Sequence, residues 1–298
     1  MKPSKTYITF SVFNYILMFL LALVIILPYL NILAKAFNES TDTLRGGLTF
    51  YPRVFTFDNI IAVFMNKSMV TNLTTTLMRT LIGTFLALVV QFSAAYALTK
   101  KNLPGRSAIL IYLTVPMFFT GGIVANYILF SNLGILNNFM VYVLPTAFNF
   151  FNMIVIRTFI YTIPESLKES ARIDGANEYL IILIIILPLC APILATISLW
   201  AAVEHWNDWT TTLYYVTNTK LYTLQFSLMK IVRESESVKE AMQMAIQRGQ
   251  NLDNFKVPAT PESMRSAQII ITTLPIIMVY PFLQKYFIKG VVIGAVKE

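Results

Sequence analysis

Few side chains in this sequence could do chemistry, and the densest group of them is the short stretch EHWNDW. Trp206 and Trp209 offer flat aromatic faces, and Asn207 and Asp208 between them offer hydrogen-bonding groups. That combination suits a sugar ring, although two tryptophans near a membrane interface are also typical of an aromatic belt. His205 has no accompanying cluster of cysteines, histidines or acids such as a zinc site requires. We therefore expect His205 to be structural and predict no metal site.

A second polar stretch, residues 162–178, separates two long apolar runs. Thr162 and Glu165 have the spacing of a capping box. The helix that they would open ends at Gly175, because glycine tolerates the positive φ of a helix C-terminus. Asn177 can cap the next helix, which runs directly into apolar residues. The stretch is therefore predicted to be a helix, a sharp turn and a membrane-entering helix, with the polar elbow in water.

The spacing within this elbow resembles the EAA loop of ABC importer permeases. Glu169-Ser170-Ala171 is followed after two residues by Asp174-Gly175-Ala176, and Ile185, Leu187 and Pro188 complete the pattern. In that family the loop is a coupling helix that docks into a cleft on a cytoplasmic ATPase. The resemblance implies the same coupling role for the six residues 169–171 and 174–176. An ordinary amphipathic linker is the alternative, but such a linker would not need the whole spaced pattern.

Three other segments, VPMFFTGGIVANYIL, SNLGILNN and FNMIVIRTF, resemble the carbohydrate-uptake branch of the family. They look most like permeases for complex-polysaccharide oligomers in Gram-positive bacteria. The resemblance implies the ABC type I importer permease fold, location in the bacterial cell membrane, and import of oligosaccharides or polysaccharide fragments. It also implies a second permease subunit in a heterodimer, two cytoplasmic ATPase subunits and an extracellular lipid-anchored solute-binding protein. This chain would bind no cofactor itself, because ATP and magnesium would be used by the partner ATPase.

The composition places the chain in a membrane. With 56% hydrophobic residues, 13% charged residues and a mean hydropathy of +0.63, it is too apolar for a soluble protein of 298 residues. A membrane-spanning helix needs about 20 predominantly apolar residues. We predict an all-α polytopic membrane protein, with residues 1–298 forming a single permease domain and 162–178 its coupling loop. The six predicted spans are about 8–34, 70–99, 108–130, 139–161, 179–203 and 264–286, and 205–263 is the main extracellular loop.

The net charge of +8 follows the positive-inside rule and gives no reason to expect nucleic acid binding. Lys100 and Arg106 lie in the second connection, Lys168 and Arg172 lie in the fourth, and the third has no basic residue. This alternation predicts that both termini are cytoplasmic. The single cysteine, Cys190, falls within a predicted span, so no intramolecular disulfide can form.

Amide side chains within the predicted spans are candidates for a substrate pathway, together with Trp206, Asn207, Asp208 and Trp209. These amides are Gln91, Asn126, Asn149 and Asn152. They could equally join helices through hydrogen bonds, each worth about 1 kcal/mol or less. The third and fourth spans also carry proline and glycine breakers, which a membrane tolerates only where protein or a water-filled cavity satisfies the freed backbone groups.

Nothing in the sequence indicates an enzyme. It has no G-x-x-x-x-G-K-[ST] phosphate-binding loop and no nucleophile elbow. The alternative function is a stand-alone secondary transporter or channel for a small polar solute, but no internal repeat or mid-membrane proton relay supports it. Such a protein would also have no use for the elbow. After the fifth span, a capping box at Ser237 predicts an extracellular helix over 238–248, which could dock the binding protein or lie on the lipid interface.

Overall fold

The computed structural model describes residues 4–44, 46–47, 50–65, 67–233 and 260–295. Within these ranges the regular structure is helical, apart from an isolated antiparallel bridge between Asn38 and Phe55. The predicted extracellular helix over 238–248 lies outside the described residues.

The α-helices follow one another in this order: α1 Lys5–Ala36, α2 Ser40–Leu44, α3 Asp58–Met65, α4 Lys67–Ala97, α5 Arg106–Phe118, α6 Gly122–Asn132, α7 Met140–Val143, α8 Phe150–Ile160, α9 Glu165–Ile173, α10 Glu178–Ile181, α11 Leu187–Leu189, α12 Ala191–Asn207, α13 Thr210–Tyr215, α14 over residues 224–233, and α15 Pro261–Ala295. A π-helical turn, Ile182–Ile186, joins α10 to α11, and a 3₁₀ turn, Thr219–Leu221, precedes α14.

Two helices are long and apolar enough to cross a membrane, α1 over Tyr7–Ala36 and α4 over Ser68–Ala97. Two bent stretches would each add one span if counted as a broken helix. The pair α5 and α6 is bent by 119°, and Glu178–Leu189 is bent by 76° against α12. The described residues therefore contain two to four such spans. The predicted number of six stays a prediction.

The third predicted span, 108–130, is not one straight helix. Phe119 is extended after α5 (φ −123°, ψ 122°), and Gly122 has φ +77° at the start of α6. An L side chain rarely adopts that positive φ, so glycine permits the bend. The fourth predicted span, 139–161, is also interrupted, because residues 144–149 separate α7 from α8 and include a proline.

The chain divides into two compact units. The first comprises Met1–Met69 and Ser227–Leu274, and the second comprises Val70–Phe226 and Pro275–Glu298. In the first unit, large apolar side chains are exposed along α1 from Tyr7 to Leu27. A helix that is apolar on all sides and not packed against protein is suited to lipid.

A buried asparagine organises the segment that follows α1. Asn38 is fully buried, and its Nδ2 donates to the Asp42 carboxylate at 2.9 Å and to the Thr43 hydroxyl at 3.0 Å. Its Oδ1 accepts from the backbone N–H groups of Arg53 (2.8 Å) and Val54 (2.9 Å). One side chain thus joins the segment directly after α1 to backbone groups 15 and 16 positions further along the chain.

The hydrophobic core of the second unit lies between α4, α8 and the helices from α10 to α12. Its buried members include Phe92 and Ala95 of α4, Met153 and Ile156 of α8, and Ile186 and Ile197 beyond the elbow. Ala171 and Ala176 of the elbow pack against the same cluster. The buried Ile163 belongs to this cluster as well, so the elbow is attached to the core by one large and two small apolar residues.

Replacing Asn38 tests the organisation of the connection between α1 and α3. We expect Asn38→Ala to destabilise the protein by about 2–4 kcal/mol, because the fully buried Asn38 side chain loses at least four hydrogen bonds at once. Thermal unfolding of the purified protein measures this, with the exposed Tyr51→Phe as a control expected to change stability by less than about 0.5 kcal/mol. An Asn38→Ala protein as stable as the control would contradict the structural role.

Candidate functional site

The elbow contains α9, which ends in a Schellman motif. The N–H of Ala176 donates to the carbonyl of Ala171 at 2.9 Å, and the N–H of Gly175 donates to the carbonyl of Arg172 at 3.1 Å. Gly175 has φ +83°, which confirms the predicted positive-φ turn. A Cβ at this position would meet nothing within 4 Å. The requirement for glycine therefore comes from the backbone conformation alone.

The two predicted caps of the elbow have different outcomes. Asn177 caps α10, because its Oδ1 accepts from the N–H of Leu180 at 2.9 Å. The predicted capping box at Thr162 and Glu165 is wrong. The Thr162 hydroxyl instead donates to the carbonyl of Phe159 at 2.7 Å, so it completes the end of α8, and α9 begins without a side-chain cap.

The six residues of the predicted coupling site face in different directions. Four of them are exposed, namely Glu169, Ser170, Asp174 and the turn residue Gly175, whereas Ala171 and Ala176 are half-buried against the core. Ile173 at the end of α9 is 85% exposed. The elbow therefore presents acidic and apolar groups outward from a helix whose inner face is fixed.

Lys168 supports α9 from its buried side. This side chain is buried, and its Nζ donates to Oε2 of Glu165 at 3.0 Å. The hydrogen bond lowers the pKa of Glu165 below its ordinary value, so Glu165 is ionised at neutral pH. The first turn of α9 thus carries a negative charge, which is favourable at a helix N-terminus.

Glu178 joins the elbow to α4. Its Oε1 accepts hydrogen bonds from the Tyr96 hydroxyl and the Lys100 ammonium group, and its Oε2 lies 3.4 Å from Nη2 of Arg172. Lys100 also donates to the Tyr96 hydroxyl at 3.0 Å. One carboxylate therefore links α9, the start of α10 and the end of α4. The sequence analysis did not single out Glu178.

The EHWNDW stretch borders a cavity of about 490 Å³. Its walls include Arg79 from α4, three side chains near the end of α12, and the turn that follows. The named wall residues are Glu204, His205 and Asn207 of α12, then Asp208 and Trp209, with threonines completing the lining. Part of the predicted sugar-binding group is thus brought together around one space.

A buried ion pair closes one side of this cavity. Arg79 is 1% exposed, and its Nη2 lies 2.7 Å from Oδ2 of Asp208. Its Nη1 donates to the backbone carbonyl of Asp208 at 3.0 Å, and the guanidinium carbon lies 4.5 Å from the centre of the Tyr142 ring. Burial alone would raise the pKa of Asp208, but the charge of Arg79 and local hydrogen bonds lower it to about 2.

The Tyr142 ring beneath Arg79 is itself held by hydrogen bonds. Its hydroxyl donates to the carbonyl of Leu221 at 2.7 Å and lies 3.0 Å from the hydroxyl of Thr212. Thr212 in turn lies 3.0 Å from the hydroxyl of Thr223. The ion pair therefore rests on a buried polar network that joins α7, α13 and the turn before α14.

His205 packs directly on the backbone of α4. A Cβ built on Gly83 would lie 2.3 Å from Nε2 of His205, so only glycine leaves room for the ring. Nε2 lies 3.5 Å from the hydroxyl of Thr146. This close approach fixes α12 against α4 next to the cavity.

The other predicted pathway residues do not line this cavity. Gln91 and Asn152 are buried, Asn126 is half-buried on α6, and Trp206 is buried. Asn149 is exposed and caps α8, because its Oδ1 accepts from the N–H of Asn152 at 3.1 Å. A pathway role for these five side chains stays a prediction.

Two members of the cavity, Arg79 and Glu204, are not indicated by any sequence motif. An arginine within a predicted span is a signal, since a charge there requires a partner. The sequence did not indicate that Asp208 is the acidic partner of Arg79, because the two residues lie 129 positions apart.

The chain has extensive similarity to known transport proteins. A family described as "Binding-protein-dependent transport system inner membrane component" matches residues 80–293. The polygalacturonan/rhamnogalacturonan transport system permease protein YtcP of Bacillus subtilis is 32% identical over 286 residues, covering 96% of each chain. Protein LplC of the same species is 33% identical over 297 residues, covering 100% of this chain and 98% of that one.

A solved structure has the same fold. A chain of a bacterial ABC transporter involved in the import of the acidic polysaccharide alginate matches with a TM-score of 0.84 and 26% identity. The match covers 96% of this chain and 99% of that chain. The mostly helical ABC importer permease fold that the family resemblance implied is therefore confirmed.

The ion pair makes a stability prediction. Asp208→Asn leaves the buried charge of Arg79 uncompensated, so we expect a loss of about 3–5 kcal/mol in thermal unfolding of the purified protein. The double variant Arg79→Met/Asp208→Asn should lose less, because it removes both charges.

The pH dependence of the same measurement is a further check. The pKa of Asp208 is lowered from 3.8 to about 2, so the pair stabilises the protein fully above about pH 4. The stability difference between the parent and Asp208→Asn should shrink as the pH falls toward 2. Equal stability of the two proteins at neutral pH would show that the pair is not formed.

Proposed function

Because this chain belongs to the family of binding-protein-dependent transport system inner membrane components, we propose that it is a transmembrane permease subunit of an ATP-driven ABC importer for carbohydrate. The observation that carries the proposal is the elbow. Its helix α9 is fixed to the core on one face and presents Glu169, Ser170 and Ile173 to solvent on the other. That is the arrangement that a docking helix needs.

The carbohydrate class is supported by relatives and by the cavity. The names of YtcP and of the alginate importer refer to polysaccharide import. In this chain, Trp209 and the polar groups around it offer an aromatic face together with hydrogen-bonding groups. We propose oligosaccharides or polysaccharide fragments as the substrate, with Gln91, Asn126, Asn149 and Asn152 as further contacts along the pathway.

Coupling to ATP hydrolysis would pass through the elbow. A cytoplasmic ATPase subunit would bind the exposed residues of α9, with Glu169 and Asp174 meeting basic groups and Ile173 filling an apolar pocket. The Schellman turn fixes the angle between α9 and α10. The contacts of Glu178 with Arg172, Tyr96 and Lys100 would then transmit a displacement of α9 to α4. This chain hydrolyses no ATP itself, and ATP and magnesium are bound by the partner.

The assembly proposed for this chain contains a second permease subunit, two ATPase subunits and an extracellular lipid-anchored solute-binding protein. The exposure of α5 and α6 supports a second permease, because α5 has no buried residue and α6 has one, Phe130. Both helices are largely apolar and would be covered by protein or lipid. We propose six spans in the bacterial cell membrane with both termini in the cytoplasm.

Purification tests the assembly. Mild-detergent extraction of the tagged chain from its native membrane should co-purify an ATPase and a second permease, as mass spectrometry would show. A stand-alone secondary transporter or channel would be isolated without them and would move solute without ATP. ATP-independent uptake by vesicles that contain this chain alone would contradict the proposal.

Substitutions at Gly175 test coupling through a matched pair. Valine avoids positive φ, so Gly175→Val should strain the turn by about 1–3 kcal/mol and reduce both uptake and substrate-stimulated ATP hydrolysis. Asparagine tolerates the left-handed region, so Gly175→Asn should keep most of both activities. Membrane insertion and yield should be unchanged in the two variants. Normal coupling in Gly175→Val would argue against the elbow as the docking element.

A further inference from the structure

The cavity beside Trp209 has an excess of negative charge. Among its described lining residues, Arg79 is basic, and Glu204 and Asp208 are acidic. Arg79 is 1% exposed and both of its terminal nitrogens bind Asp208, so its charge is already neutralised. Glu204 is exposed at the cavity. Among the described lining residues, the carboxylate of Glu204 therefore has no basic side chain to neutralise it, and a bound ligand would meet this negative charge.

The remaining groups suit hydroxyl-bearing ligands. The carboxylates accept hydrogen bonds from sugar hydroxyls, Asn207 can donate or accept, and Trp209 offers an apolar face. Two buried nitrogens in the walls, Nε of Arg79 and Nδ1 of His205, have no hydrogen-bond partner among the described residues. The volume of about 490 Å³ lies within the range of about 300–1,000 Å³ that small-molecule sites occupy.

We propose that this cavity is a saccharide site that selects uncharged oligosaccharides and excludes those built from uronic acids. A uronate would bring a further carboxylate next to Glu204 in a partly buried space, where like charges repel more strongly than in water. A neutral sugar avoids this repulsion and uses the same carboxylates as acceptors. The inference rests on the proposed function and narrows its substrate class.

The test compares charged oligosaccharides with neutral ones. The complete transporter, purified through this chain with its binding protein, is placed in liposomes with internal ATP. Uptake of labelled oligogalacturonates is measured against their methyl esters, which have the same sugars without the charge, and against neutral arabino- and malto-oligosaccharides. We expect neutral substrates to enter at least about tenfold faster than the free acids, a difference of about 1.4 kcal/mol.

Glu204→Gln assigns the selection to this cavity. The side chain is exposed, so the variant should fold, and removing its charge should reduce the preference for neutral substrates by at least about threefold. Asp58→Asn, which neutralises an exposed acid on α3 outside the cavity, is the control and should leave the preference unchanged. Direct binding of the methyl ester and of the free acid to the detergent-solubilised complex gives a second readout that does not depend on ATP.

The outcomes separate this inference from the proposed function. Uptake of the free acids at or above the rate of the esters would overturn the inference and leave carbohydrate import intact. A preference for neutral sugars that Glu204→Gln does not alter would also overturn it, since the selection would then lie elsewhere. If no carbohydrate of any kind entered, the proposed function would fail, and the inference with it.

Discussion

A guanidinium group buried in a membrane protein must be neutralised where little water reaches it, and Asp208 meets this requirement for Arg79. The pair has consequences beyond its own energy. It holds the turn after α12 against α4, it places Arg79 over the Tyr142 ring, and it neutralises the arginine of the cavity wall. The shape and the charge of the cavity therefore depend on one contact. Removing either partner would change both.

The two functional regions of the second unit are built on shared helices. Helix α4 carries Arg79 near its middle and Tyr96 near its end, and the stretch of α-helix between these two residues rises by about 25 Å. The stretch from Glu178 to Asp208 likewise begins in the elbow cluster and ends in the ion pair. The core around Ile156 and its neighbours fills the space between these rods. The elbow and the cavity are therefore connected through the continuous helix α4 and through the bent stretch from Glu178 to Asn207.

Local features of this chain could be predicted from its sequence, whereas long-range partners could not. Gly175 and Asn177 were identified because their roles depend on a few neighbouring residues. The prediction for Thr162 was wrong because its hydroxyl can bind either the start of α9 or the end of α8, and it donates to the carbonyl at the end of α8. Arg79 and Asp208 are brought together only by the packing of α4 against α12, which no spacing rule reveals. The aromatic stretch was found by composition, but the excess of negative charge around it required the three-dimensional arrangement.

The π-helical turn Ile182–Ile186 sets the phase of the helix that leaves the elbow. Each residue of an α-helix turns the chain by about 100° about the helix axis. A π turn is closed by i→i+5 hydrogen bonds and so contains one residue more than an α-helical turn. The direction of the Glu178 side chain about the helix axis, relative to the side chains beyond Leu187, therefore differs from that in an uninterrupted α-helix. Every residue in the turn is isoleucine or leucine, so the hydropathy pattern of the sequence does not reveal the extra residue. Inserting or deleting one residue in this run would consequently rotate the elbow about the helix axis by a large angle, while changing the length of the helix only slightly.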